Sequence, residues 1–119
     1  REIAFFSMCE HHLLPFFGQA HIGYIPNTQI AGASKLARVL EVVSKRPQLQ
    51  ERMTAQIADA ILKAVSPKGT AVVLEAQHLC MVMRGVQKVG SSIVTSVTRG
   101  NFEESPITPQ RLVDLLYRR

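Results

Sequence analysis

Residues 2–9 and 17–25 carry β-prone side chains, among them Phe5, Phe6, Phe17, Ile22, Tyr24 and Ile25, in a pattern that predicts two strands. A turn near Leu14-Pro15 separates them, so they read as a hairpin or a wider pairing, and Pro26-Asn27 ends the second. The period then changes. Leu36, Val39, Leu40 and Val43 recur at helical spacing, with Ser34 as the expected cap. Pro47 is expected to open a second helix, since proline suits a first turn. Its apolar stripe is Met53, Ile57, Ile61 and Val65, with Leu62 beside it. Glu51, Arg52, Gln56, Asp59 and Lys63 form the exposed face, and Pro67-Lys68-Gly69 stops it. Residues 70–85 and 91–100 predict two long strands, with Gly85 and Gly90 bracketing the turn region. A short last helix, about 108–117, has Thr108 as cap and Pro109 at its first position. The order β-β-α-α-β-β-α implies an α+β domain over 1–119, an antiparallel sheet with helices packed on one face.

Composition narrows the classes. The 119 residues are 46% apolar, which excludes a disordered chain. A domain this size buries about two-thirds of its unfolded surface, so an oligomer would be no surprise. No apolar run approaches the roughly 20 residues that span a bilayer, and no signal peptide is visible. The chain starts at Arg1, which points to a preceding segment. The net charge of +5 suits a polyanionic ligand. With no Trp and no block of like charge, nucleic acid is not the expected partner, nor is a membrane. The two cysteines, Cys9 and Cys80, come without a secretory signal, so a reducing, cytoplasmic setting is expected.

Candidate chemistry begins with "SMCEHH". Cys9 and His12 have the spacing of a short chelate, which is a weak signal by itself. A structural zinc finger would need a second close pair, and none exists. On an extended strand His78 and Cys80 point the same way. Either alone reads as a core residue, a hydrogen-bonded histidine or a small buried thiol. Taken with Cys9 and His12, Cys80 completes a set of three soft ligands. Zinc held by three ligands keeps an open position and lowers the pKa of a bound water to about 7. His11 and His78 would then stand by as proton carriers. A basic set comes from "GASKLAR", where Ser34, Lys35 and Arg38 lie at a helix start suited to phosphate. Solvated surface charges are the plainer reading of that set. Arg84 shares the parity of Cys80 and could reach the same pocket. Gln50 and Glu51 could read a base edge, though Glu51 also suits the helix dipole.

"SMCEHH", "GYIP", "GASKLAR", "RPQLQERMTAQIADAI", "AQHLCMVMRG" and "TSVTRGNF" together resemble GTP cyclohydrolase I in order and spacing, over essentially the whole chain. The resemblance implies the tunnelling fold, a β-β-α-α-β-β unit whose copies close into a barrel. It implies a homodecamer of two stacked pentamers with active sites at subunit interfaces. It implies hydrolysis of GTP to 7,8-dihydroneopterin triphosphate and formate, the entry to folate or tetrahydrobiopterin. Zinc ligands map onto Cys9, His12 and Cys80, and acid–base histidines onto His11 and His78. Triphosphate contacts map onto Ser34, Lys35, Arg38 and Arg84. Glu51 maps onto the carboxylate that holds guanine, with Gln50 beside it; Glu10 receives no role. A feedback regulatory protein is a further partner that the resemblance allows. The family's extra N-terminal helices are absent from this sequence. The competing readings are a nitrile reductase of the same fold, with a nucleophilic cysteine and a nicotinamide cofactor, and a non-catalytic zinc-stabilised binding module.

Overall fold

The computed structural model describes residues 1–79, 91–103 and 105–117. The elements are β1 (Ile3–Cys9), β2 (Pro15–Ile25), α1 (Ala33–Ser44), β3 (Pro47–Gln48), α2 (Gln50–Val65), β4 (Gly69–His78), β5 (Ile93–Gly100) and α3 (Pro109–Leu116). One sheet runs in the order β3-β1-β2-β4-β5. Its long pairings are antiparallel, as expected, and a short parallel bridge joins Met8 and Cys9 to Pro47 and Gln48.

Period-two alternation explains the layering. Phe16, Ala20 and Ile22 of β2 and Val72, Leu74 and Ala76 of β4 face one way and are buried. Met53, Ile57 and Ile61 of α2 and Leu40 and Val43 of α1 pack on them. Burying each of these side chains contributes about 1.5–3 kcal/mol. The two helices of the β-β-α-α-β-β unit thus share one face. The expected single helical face is corrected for the terminal helix: α3 covers the other face, where Leu112 and Leu116 pack on Ala71. Thr108 caps α3 as expected, its hydroxyl accepting from the Arg111 N–H at 3.1 Å, with Pro109 in the first turn.

Three further expectations are corrected. Ser34 does not cap α1: Gly32 holds the cap position without a side-chain bond, and Ser34 lies within the helix. Pro47 does not open α2. It belongs to the bridge with β1, and the helix starts at Gln50 after Leu49. The strand expected to run to residue 85 ends at His78, and Leu79 already has helical geometry. The turn region expected between Gly85 and Gly90 lies outside the described residues. Gly18 on β2 has to be bare, because a side chain there would run into the carbonyl of Glu75. The glycine lets β2 and β4 close together two residues from Phe16.

Candidate active site

At one end of the sheet, the end of β1, the start of β2, the start of α2 and the end of β4 converge. β1 leads into a tight turn. The Cys9 N–H bonds to the Leu14 carbonyl and the Leu13 N–H to the Cys9 carbonyl, both at 2.8 Å. Leu13 adopts a left-handed backbone with φ 54°. This curl brings Cys9 Sγ within 3.7 Å of His12 Nδ1. The thiol is buried and the imidazole exposed. A soft sulfur and an imidazole nitrogen held side by side are a fitting half-site for zinc. His11 is exposed beside His12, the two rings 6.4 Å apart and nearly perpendicular. Cys80, the expected third ligand, lies outside the described residues, as does Arg84. Among the described residues no group of three or more metal-ligating side chains forms.

The turn is anchored from below. The Glu10 N–H bonds to the Gln48 carbonyl at 2.9 Å. Arg52 reaches back from α2 with both terminal nitrogens, at 2.9 and 3.4 Å from the two Glu10 carboxylate oxygens. That bond holds the Glu10 carboxyl below its ordinary value. The Arg52 Nε–H also donates to Gln48 Oε1 at 3.1 Å. Gln48 is fully buried and gives its own amide protons to the Val43 carbonyl and to Gln56 Oε1, both at 2.9 Å. Sequence reasoning assigned Glu10 no role and missed Arg52 and Gln48. The bridge between β1 and β3, which makes them neighbours, has no local signature.

His78 ends β4 inside this region. Its ring stacks on Phe16, with centroids 4.5 Å apart and planes 4° from parallel. Its Nε2 lies 2.7 Å from Gln50 Oε1. Burial pushes the His78 pKa below the ordinary histidine value, while the nearby Glu51 carboxylate pulls it back up. Glu51 itself is exposed in the first turn of α2. Gln50, expected at the pocket, is 2% exposed. The structure therefore places Cys9, His11, His12, Gln50, Glu51 and His78 toward one end of the sheet, in two separate contacts, Cys9 with His12 and Gln50 with His78.

It does not bring the basic set to them. Tyr24, near the far end of β2, bonds through its hydroxyl to both the carbonyl and the N–H of Ala31, at 3.2 and 2.8 Å. Ser34, Lys35 and Arg38 follow directly on α1 and are exposed. Phe16 and Tyr24 are eight residues apart on one strand, a span on the order of 25 Å. Lys35 and Arg38 instead line a groove of about 990 Å³ between α1 and α2, with Arg46 at its other end. Within one chain, the thiol–imidazole end and the basic end are thus separated by most of the length of the sheet.

Known proteins match at the levels of sequence and fold. The family model for GTP cyclohydrolase I matches residues 1–117. The GTP cyclohydrolase 1 of Streptococcus pyogenes serotype M5 is 54% identical over 117 residues, 98% of this chain and 60% of that protein. The GTP cyclohydrolase 1 of Dehalococcoides mccartyi is 56% identical over 118 residues, 98% of this chain and 62% of that protein. The chain therefore spans about 60% of the length of these relatives. A crystal structure of the archaeosine synthase QueF-Like in the apo form superposes with a TM-score of 0.66 over 85% of this chain and 91% of its own, at 14% identity. That likeness concerns the fold alone and agrees with the α+β tunnelling fold. Near-complete coverage by one family model, on a fold whose strand ends gather Cys9, His12 and His78, leads to one assignment: the chain belongs to the GTP cyclohydrolase I family.

Proposed function

We propose that this chain is the catalytic domain, 1–119, of a zinc-dependent GTP cyclohydrolase I. It would convert GTP and water to 7,8-dihydroneopterin triphosphate and formate, at the entry to folate or tetrahydrobiopterin synthesis in the cytoplasm. The observation that carries the reading is the contact of Cys9 with His12 at the sheet end where His78 lies buried. Cys9, His12 and Cys80 would hold the zinc, and a bound zinc ion would supply the Lewis acidity that makes hydrolysis feasible at neutral pH.

The chain's own groups divide the remaining work. The Glu51 carboxylate accepts hydrogen bonds from the guanine edge, with Gln50 behind it. His78 handles a proton at N7 of the imidazole ring, which makes C8 electrophilic. His11, on the exposed turn, is the second proton carrier. Two hydrolytic events at C8 open the ring and release formate, and no redox cofactor takes part. Ser34, Lys35, Arg38 and Arg84 grip the triphosphate.

The wide separation of Lys35 from Cys9 supports a site built between subunits. One chain would offer its α1 cations to the thiol–imidazole end of another, as in a homodecamer of two stacked pentamers. Incubation with GTP tests the whole reading. Formate and a pterin that fluoresces after oxidation are the expected products. Their absence from zinc-loaded protein would remove the assignment. No helix among the described residues is long and apolar enough to cross a membrane.

A further inference from the structure

The proton positions around His78 are determined by the groups that cannot change role. Gln50 Nε2 lies 3.2 Å from the Leu74 carbonyl, 2.9 Å from the Ile93 carbonyl and 3.1 Å from Thr95 Oγ1. Backbone carbonyls only accept, so the amide nitrogen must face them. Rotating the amide by half a turn would set its oxygen against two carbonyl oxygens in a buried place. The Gln50 oxygen is thereby fixed toward His78, and an amide oxygen also only accepts. The His78 nitrogen 2.7 Å away must be the donor.

The neighbouring hydroxyls agree. Thr54 Oγ1 is 2.7 Å from the Gln50 carbonyl, which takes its proton. The 2.7 Å contact between Thr54 and Thr95 must then use the proton of Thr95. Thr95 is left free to accept from the Gln50 amide. The two amide protons of Gln50 are shared among three acceptors, all of which fix the nitrogen on the same side, and the network joins α2, β4 and β5.

We propose that Gln50 is a positioning residue that fixes the His78 proton on Nε2 and leaves Nδ1 as the ring atom that exchanges protons with substrate. The second half rests on the function proposed above; the first half does not. An amide here does a different job from the carboxylate that often backs a catalytic histidine. It orients the ring and selects the tautomer without adding a negative charge. Phe16, stacked flat on the ring, opposes the half-turn that would put Cε1 in the place of Nε2. Any proton given to substrate must first be loaded on Nδ1, and any proton taken from it arrives there.

The direct test is the tautomer itself. Long-range 15N–1H spectra of zinc-loaded enzyme with 15N-labelled histidine, at about pH 8 where histidine is neutral, should show His78 protonated on Nε2 and bare on Nδ1. Loss of those signals in His78→Gln assigns them. A ring protonated on Nδ1, or one averaging both forms, would overturn the proposal. The functional half is tested by Gln50→Met, which keeps the length and removes the amide. Turnover should fall about 10–100-fold, the usual effect of removing an orienting partner. The same change added to His78→Ala should cost nothing further and leave GTP affinity within about twofold. Losses that multiply, or GTP affinity that drops with Gln50, would make it a substrate contact instead. If the unsubstituted enzyme releases no formate from GTP, the activity is wrong, and the spectrum alone decides the tautomer.

Discussion

The two ends of the sheet carry the two sets of candidate residues, and they are built in opposite ways. At the Cys9 end, side chains are held by buried amides, an ion pair and a stacked ring. At the α1 end, Ser34, Lys35 and Arg38 stand exposed, and the helix start has no side-chain cap. Under the proposed function, an end that holds a metal and aims a proton would need geometry fixed in advance. An end that supplies charge to a triphosphate can be completed by the substrate and a neighbouring chain. On that reading the difference would separate chemistry prepared by folding from binding finished by assembly.

The largest expected effect attacks the prepared end. Cys9→Ser should reduce zinc affinity by more than the roughly 100-fold upper range for outer partners of a metal site. Zinc content and turnover should fall together, by metal analysis beside the formate assay. Full zinc with full turnover would cancel the ligand assignment. Next comes His78→Ala, which should keep zinc and GTP binding while turnover drops about 10²–10⁴-fold. Near-normal turnover would return His78 to the ordinary buried histidines.

The α1 end should respond differently. Arg38→Ala is expected to weaken GTP binding by about 1.5–3 kcal/mol, with zinc unchanged. Mixing equal amounts of Cys9→Ser and Arg38→Ala chains, reassembled together, should restore about a quarter of the sites if each site draws on two chains. No recovery would mean that both sets serve one site from a single chain.

The smallest effect concerns pH. Burial lowers the pKa of both His21 and His78 in the folded chain. The Glu2 N–H donates to His21 Nδ1 at 3.1 Å, which also needs a neutral ring. The unfolded chain then binds more protons than the folded one below about pH 6.5. Stability from these groups is present above that value and lost as the pH falls through it toward the lowered folded values. Urea midpoints should be lower at pH 5 than at pH 7.5, and less so in His21→Phe. Midpoints that rise on acidification would contradict both shifts.

Local pattern made most of the fold legible. Alternation marked β1 and β2 to within a few residues, and the α2 stripe of Met53, Ile57, Ile61 and Val65 is the buried one. Failures came where a distant partner decides. Pro47 looked like a helix opener because its pairing with Met8 lies far away in sequence. Ser34 looked like a cap because a shift of two residues at a helix start is invisible to a helical period. Nothing in the alternation of residues 70–85 marks the end of β4 at His78. For the site, Cys9 and His12 were readable because three residues of spacing suffice for contact. The bond from Gln50 to His78 spans 28 residues, and the clamp from Arg52 to Glu10 spans 42. Both arise only when strands and helices meet, so no spacing rule finds them.

The length of β2 carries a last consequence. Under the shared-site reading, a strand that holds the proposed metal end and the proposed phosphate end apart would make a solitary chain chemically silent even when correctly folded and zinc-loaded. Under the shared-site reading, specific activity becomes a function of chain concentration, rising steeply as rings form and fading on dilution. The cell would then read the abundance of this polypeptide nonlinearly: a modest rise in synthesis near the assembly threshold would switch on disproportionately more flux. The distance between two ends of one strand would set the sharpness of a dose response.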